Sequence, residues 1–148
     1  MKLTTRGILT PALFLLAACQ TKPTSSPIAG TWQLLTGTLI EKNDTTVTNY
    51  SGNKQFIKII NGDHFAFLAH DLGKDTATFF TAGGGRYTLT DSLYTEHLEY
   101  CSDRAWEHHD FQFTIHIHND TLVQRGVEKV EGTGVNRLNI EKYIRIKQ

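Results

Sequence analysis

The chain has 148 residues, 39% of them hydrophobic and 20% charged, with 15 basic against 15 acidic side chains. That composition describes one globular unit and excludes a disordered or collagen-like chain. A formal charge of zero lacks the basic excess with which nucleic-acid binders meet phosphate, so no nucleic-acid partner is expected.

Residues 1–18, MKLTTRGILTPALFLLAA, place Lys2 and Arg6 before an apolar run from Ile8 to Ala18 and contain no acidic residue. This pattern is a secretory signal, too short to span a bilayer. Without these 18 residues and their two basic side chains, 130 remain, with 13 basic and 15 acidic groups. A domain near that size buries roughly two-thirds of the surface its unfolded chain exposes, enough for one core. Leu16, Ala17, Ala18 and Cys19 close the apolar run and resemble the lipobox of bacterial lipoprotein precursors. The resemblance implies cleavage before Cys19, acylation of its thiol, and a domain outside the cytoplasm, lipid-anchored to a membrane of the bacterial cell envelope. About two or three acyl chains make a far stronger anchor than a single myristoyl. Residues 19–27 then form a tether, since QTKPTSSP after the cysteine is polar and carries prolines without apolar periodicity. The folded domain is expected over 28–148.

Removing Cys19 by acylation leaves Cys101, which has no second cysteine to pair with, so the fold must stand on its core. Cys101 is expected as a small buried hydrophobe, with a reactive or dimerising thiol as the alternative. All three prolines, Pro11, Pro23 and Pro27, precede residue 28, so nothing in the body excludes a central strand. Short runs rich in Phe, Ile, Thr, Tyr and Val alternate with Gly, Asn and Asp clusters, and no window shows the i, i+3, i+4 pattern of an amphipathic helix. The spacing predicts strands at Thr31 to Ile40, Gln55 to Ile60, Phe65 to His70, Thr76 to Thr81, Arg86 to Thr90, Leu93 to Tyr100, Phe111 to His118, Thr121 to Val130 and Leu138 to Ile146. The fold class is all-β: an antiparallel up-and-down barrel of about eight to ten strands, with a sandwich as the other way to bury one face of each strand.

Turn chemistry predicts the registers. Asn61-Gly62-Asp63, taken as a three-residue loop, pairs Ile60 with His64 and gathers Ile57, Ile59, Phe65 and Phe67 on one face, leaving Lys58 on the other. Asp91-Ser92, as a two-residue turn, pairs Leu89 with Tyr94 and Tyr87 with Glu96. Asn119-Asp120 pairs His118 with Thr121 and His116 with Val123, so Phe113, Ile115, Ile117 and Leu122 share a face. Two stretches break this rhythm. Glu41 to Asn53 suits a surface loop or frayed hairpin, and Cys101 to Asp110 suits one helical turn capped by Ser102 with Trp106 folded back on the barrel.

Gly30-Thr31-Trp32 opens the first strand directly after the tether, and Gly83 to Tyr100 reads GGGRYTLTDSLYTEHLEY. The first resembles the Gly-x-Trp entry motif of lipocalins and other calycins. The second resembles a segment of the lipocalin-like domain of uncharacterised bacterial lipoproteins, a likeness extending loosely from Gly30 to Ile146. The resemblance implies a barrel closed at one end by Trp32, with a basic residue of the last strand over its ring. Arg145 is the first choice, before Lys147 and Arg137, and such cation–π packing stabilises by about 0.5 to 2 kcal/mol. No C-terminal helix like that of animal lipocalins, and no helix pair like that of fatty-acid-binding proteins, is evident in the sequence.

The Asp91-Ser92 register puts Tyr87, Leu89, Tyr94, Glu96, Leu98 and Tyr100 on one face, a carboxylate among tyrosines. If that face points inward, Glu96 is hydrogen-bonded by phenols or has a raised pKa, and it makes a ligand site with Tyr87, Tyr94 and Tyr100. Arg125 and Arg145 are the cations nominated to compensate it. If the face points outward, the tyrosines merely cover a solvated sheet. His116 and His118 share a face, and His97, His108 and His109 lie on neighbouring segments. The apolar face opposite His116 and His118 turns these two toward water, so they are weak metal candidates, and no cofactor is expected. No G-x-S-x-G elbow or Ser, His and Asp set is present, so no catalytic residue is nominated. Gly83-Gly84-Gly85 lies between strands and reads as a bulge or bend, not a phosphate loop. Two functions remain open: a binding module for a small apolar or amphipathic molecule, and an enzyme or metal-handling barrel using Glu96, a tyrosine and a histidine.

Overall fold

A computed structural model describes residues 26–73 and 79–147. The signal stretch, Cys19, most of the tether and the first half of the expected strand Thr76 to Thr81 lie outside these residues. The described chain forms β1 (Gly30–Glu41), β2 (Asp44–Asn49), β3 (Lys54–Ile60), β4 (His64–Asp71), β5 (Phe80–Thr90), β6 (Leu93–Cys101), β7 (His109–His118), β8 (Thr121–Val130) and β9 (Val135–Arg145), with a 3-10 turn at Arg104–Trp106. All neighbours are antiparallel, and β1 pairs with β9, which closes the sheet. The result is a closed eight-strand barrel with β2 as one extra strand.

Strand β1 is long enough to serve two neighbours on one edge. Gly30 to Gln33 pair with β3, and Thr36 to Glu41 pair with β2, while β9 follows both halves on the other edge. A bulge between Leu34 and Thr36 marks the change of partner, and Tyr50 N–H donates to the Leu35 carbonyl there at 2.9 Å. Glu41 to Asn53 is therefore a hairpin arm, turned by Lys42 and Asn43 with φ of 49° and 66°, the signature of a two-residue type I′ turn.

The Asp91-Ser92 and Asn119-Asp120 registers stand as read from the sequence: Leu89 faces Tyr94, Tyr87 faces Glu96, His118 faces Thr121 and His116 faces Val123. The β3–β4 register does not. Ile60 pairs with Phe65, not with His64, because Asn61 closes a four-residue turn: its N–H donates to the His64 carbonyl and its Oδ1 accepts from the N–H groups of Asp63 and His64. This one-step change pairs Lys58 with Phe67 on the inner face. Ile59 and Leu68 go outward, 42% and 39% exposed, whereas Lys58 is 2% exposed.

The sequence also suggested two strands around Gly83–Gly85 where the structure has one. Strand β5 runs through the glycines, with a bulge between Gly84 and Gly85 that leaves Glu99 of β6 without an opposite residue. The backbones meet closely there: a Cβ on Gly85 would stand 2.0 Å from the His97 carbonyl oxygen. The bulge changes the phase of β6, so Leu98 is buried while Tyr100 turns outward. The 3-10 turn is capped by Asp103, whose side chain accepts from Ala105 N–H, and not by Ser102, whose hydroxyl binds Thr81 and Ala82 instead. Trp106 does fold back, its ring 5.7 Å from that of Phe111.

One end of the barrel is sealed. Trp32 is fully buried, its Nε1 donates to the Ile28 carbonyl at 2.8 Å, and the Arg145 guanidinium lies 4.0 Å from its ring centroid. Arg145 also donates to the backbone carbonyls of Ala29 and Pro27, so it ties the last strand to the segment entering the first. Above this plug, Leu34, Ile60, Phe65, Tyr94, Phe113, Ile115 and Leu122 form the apolar core.

Candidate functional site

Toward the other end the interior opens into a cavity of about 340 Å³. Its two walls differ in chemistry because different strands supply them. Strands β3, β4, β6 and β7 contribute Phe56, Phe67, Leu98, Phe111 and Phe113, while β8 and β9 contribute Gln124, Glu128, Arg137, Asn139 and Glu141. Such a volume, apolar on one side with a few convergent polar groups on the other, falls in the size range in which proteins hold small molecules.

At the floor, Lys58 Nζ stands 2.6 Å from Glu96 Oε1 and 3.2 Å from Gln124 Oε1, with Lys58 and Glu96 side chains only 3% and 8% exposed. Gln124 passes the network on, donating from Nε2 to Glu141 Oε2 at 2.6 Å, which also accepts from the Tyr143 hydroxyl at 2.9 Å. The ammonium lies 5.4 to 5.9 Å from the ring centroids of Tyr143, Phe65 and Tyr94. Nearer the mouth, Glu128 accepts from Asn139 at 2.6 Å and from Arg137 at 2.7 Å, and the Arg137 guanidinium covers the Trp106 ring at 5.2 Å.

Charge and burial together set the protonation of these groups. Burial pushes the Glu96 carboxyl above the usual carboxylate range; Lys58 opposes this and Glu141 adds to it. Glu128 is likewise raised by burial, against Arg137 and with Glu141. Burial alone would lower Lys58, yet the fields of Glu96, Glu141 and Glu128 together raise it, so it is a cation at neutral pH. Tyr94 and Tyr143 are raised by burial and by neighbouring carboxylates and stay neutral phenols. The Tyr94 hydroxyl is buried beside the Glu96 carboxylate, whose charge adds to the upward push on the phenol.

The structure brings together part of the constellation read from the sequence. Glu96, Tyr94 and Tyr87 are interior, but of the three Glu96 alone lines the cavity; Tyr94 is buried in the core beside it, and the Tyr87 hydroxyl donates to the Asn61 carbonyl at the β3–β4 turn. Tyr100 is 68% exposed, thrown outward by the β6 bulge. Arg125 points outward from β8 and Arg145 sits on Trp32, so neither compensates Glu96; Lys58 does. His116 and His118 are exposed, and His97 pairs with Asp110 in a largely exposed contact. Cys101 is half-buried, a free thiol at the cavity wall. Among the described residues no histidine lines the cavity, so Cys101 and Thr81 have no imidazole among its lining side chains.

Lys58, Gln124, Glu128, Asn139, Glu141 and Tyr143 were not nominated from the sequence, and Arg137 was named only as a second choice over Trp32. A signal for four of them was present: in an unbroken strand, residues two apart share a face. Placing Arg145 inward over Trp32 therefore also places Tyr143, Glu141, Asn139 and Arg137 inward. No protein-family model matches this chain, and no curated protein matches it.

Proposed function

We propose that the chain is an envelope lipoprotein, tethered through Cys19, whose lipocalin-like barrel holds a small apolar or amphipathic molecule. The observation that carries this reading is the cavity above the Trp32 plug, with phenylalanines on one wall and a hydrogen-bonded polar network on the other. That division suits a molecule with an apolar body and one polar end, because each part meets its own chemistry without an unpaired buried group. The buried network is already held by its own hydrogen bonds, so it orients a ligand without having to be ordered by it. Native mass spectrometry of protein purified from membranes without added ligand tests the reading. A retained organic mass of a few hundred daltons, lost on mild unfolding, is expected; a clean apo mass after gentle purification, together with no uptake of apolar probes, overturns it.

A further inference from the structure

The cavity is not electrically balanced. Its lining carries two cations, Lys58 and Arg137, against four carboxylates, Glu96, Glu128, Glu141 and Asp103. Lys58 is matched by Glu96 and Arg137 by Glu128. Asp103 is engaged at the mouth, accepting from the Ala105 N–H as a turn cap. Glu141 differs from all of these. Among the described residues its hydrogen bonds come from two neutral donors, the Gln124 amide and the Tyr143 hydroxyl, both to Oε2, and no cation stands within ion-pair distance.

Its surroundings are what a soft cation would meet. Glu141 faces Gly37 across the β1–β9 ladder, a Cβ on Gly37 would come 3.4 Å from the Tyr50 ring, and Gly37, Tyr50 and Glu141 all line the cavity, so the missing side chain lets the ring lie over the strand opposite the carboxylate. Burial first and then Glu141 push the Tyr50 phenol upward, against the smaller opposing field of Arg137. Tyr50 packs edge-on against Phe56 at 5.9 Å, and Phe56 stacks on Phe67 at 5.6 Å, which continues the aromatic wall away from the carboxylate. Rings in this interior already carry cations: Lys58 beside Tyr143 and Arg137 over Trp106.

We propose that the molecule held by this cavity is a monocation, a protonated amine on an apolar body, with its ammonium against Glu141 and Tyr50 and its body along Phe56 and Phe67. This rests on the ligand-binding reading above and narrows it. An anionic amphipath, such as a fatty acid, would place its carboxylate in a lining that already holds an excess of negative charge. It would find Lys58 and Arg137 already engaged. A neutral alcohol would satisfy the hydrogen bonds without meeting the charge. The carboxylates at the mouth also draw cations inward and repel anions.

The test is a matched series of equal chain length, octylammonium, octan-1-ol and octanoate, titrated into the protein at pH 7 by calorimetry. Octylammonium is expected to bind at least tenfold more tightly than octan-1-ol, and octanoate more weakly than either. Glu141→Gln is expected to cut the ammonium-to-alcohol ratio at least tenfold, and Glu141→Asp to keep most of it; the ratio cancels any change in cavity shape common to both probes. Octan-1-ol and octylammonium binding equally, or octanoate binding best, overturns the cation inference and leaves the ligand-binding reading standing. A preference for octylammonium untouched by Glu141→Gln overturns the assignment to Glu141. No uptake of any of the three overturns the ligand-binding reading itself.

Discussion

Lys58 on β3 and Glu96 on β6 meet across the barrel interior at 2.6 Å, although two strands separate them along the sheet. No backbone hydrogen bond joins β3 to β6, so this contact braces the barrel across its width.

Breaking the brace on one side leaves a buried charge without compensation. Lys58→Met is expected to cost about 3 to 5 kcal/mol in urea unfolding. Lys58→Met combined with Glu96→Leu removes both charges and is expected to recover most of that loss. If the double variant is as unstable as the sum of the two single ones, the pair does not couple and the brace is not energetic.

Acid should stabilise this protein before it destabilises it. Glu96 and Glu128 both have folded-state pKa values above the ordinary 4.5. Between 4.5 and those raised values the folded chain binds more protons than the unfolded chain, so stability rises as pH falls through that window. Thermal midpoints are expected to climb as the pH falls through the raised Glu96 and Glu128 values toward the ordinary 4.5. Glu128→Gln should flatten the climb. Midpoints that fall steadily as the pH is lowered from neutral to 4.5, or a climb of equal size in the variant, would contradict the assignment. Lys58, raised in the fold, contributes stability that is full below its ordinary 10.5 and lost only as pH rises through the raised value.

At the sealed end, Trp32→Ala removes a fully buried indole together with its bond to Ile28 and should cost about 3 to 5 kcal/mol. Arg145→Met keeps the packing stem but loses two charged hydrogen bonds to backbone carbonyls, so a loss of about 2 to 3 kcal/mol is expected. Losses below 1 kcal/mol for either in urea unfolding would show that the plug contributes little to stability.

Cys19→Ala reports on the tether. The variant is expected as unprocessed precursor or as soluble protein when cells are fractionated, with no acylated N-terminal peptide in mass spectra. A variant still processed and still in the membrane fraction would remove the lipobox reading.

What the sequence made legible was decided by local chemistry. Asp91-Ser92 and Asn119-Asp120 are short turns whose first residues tolerate positive φ, at 54° and 51°, and each fixed its hairpin register correctly. The Asn61 turn was misread because polarity was used to choose among loops, with lysine assumed to face water. Lys58 breaks that assumption, and its counter-ion comes from a strand 38 residues away in sequence, beyond any local pattern. Strand β9 departs from the same polarity rule: Arg137, Asn139 and Glu141 face inward and Leu138, Ile140 and Ile144 outward, the reverse of the usual alternation. Tyr100 was misplaced by a bulge one residue before it, where only the glycines of β5 gave warning.

The pairing of β1 with β9 has a kinetic consequence. Contacts between Trp32 and Arg145 close a loop of 113 residues, so the barrel has high contact order and closure must follow most other pairings. Until β9 arrives, β1 has an open edge and Trp32 lacks its arginine lid. Folding in milliseconds to seconds is therefore expected, and an incomplete chain presents that edge to its neighbours. A chain ending before Val135 would lack the strand that supplies Arg137, Asn139, Glu141 and Arg145, and so would lose the charged wall and the closure together.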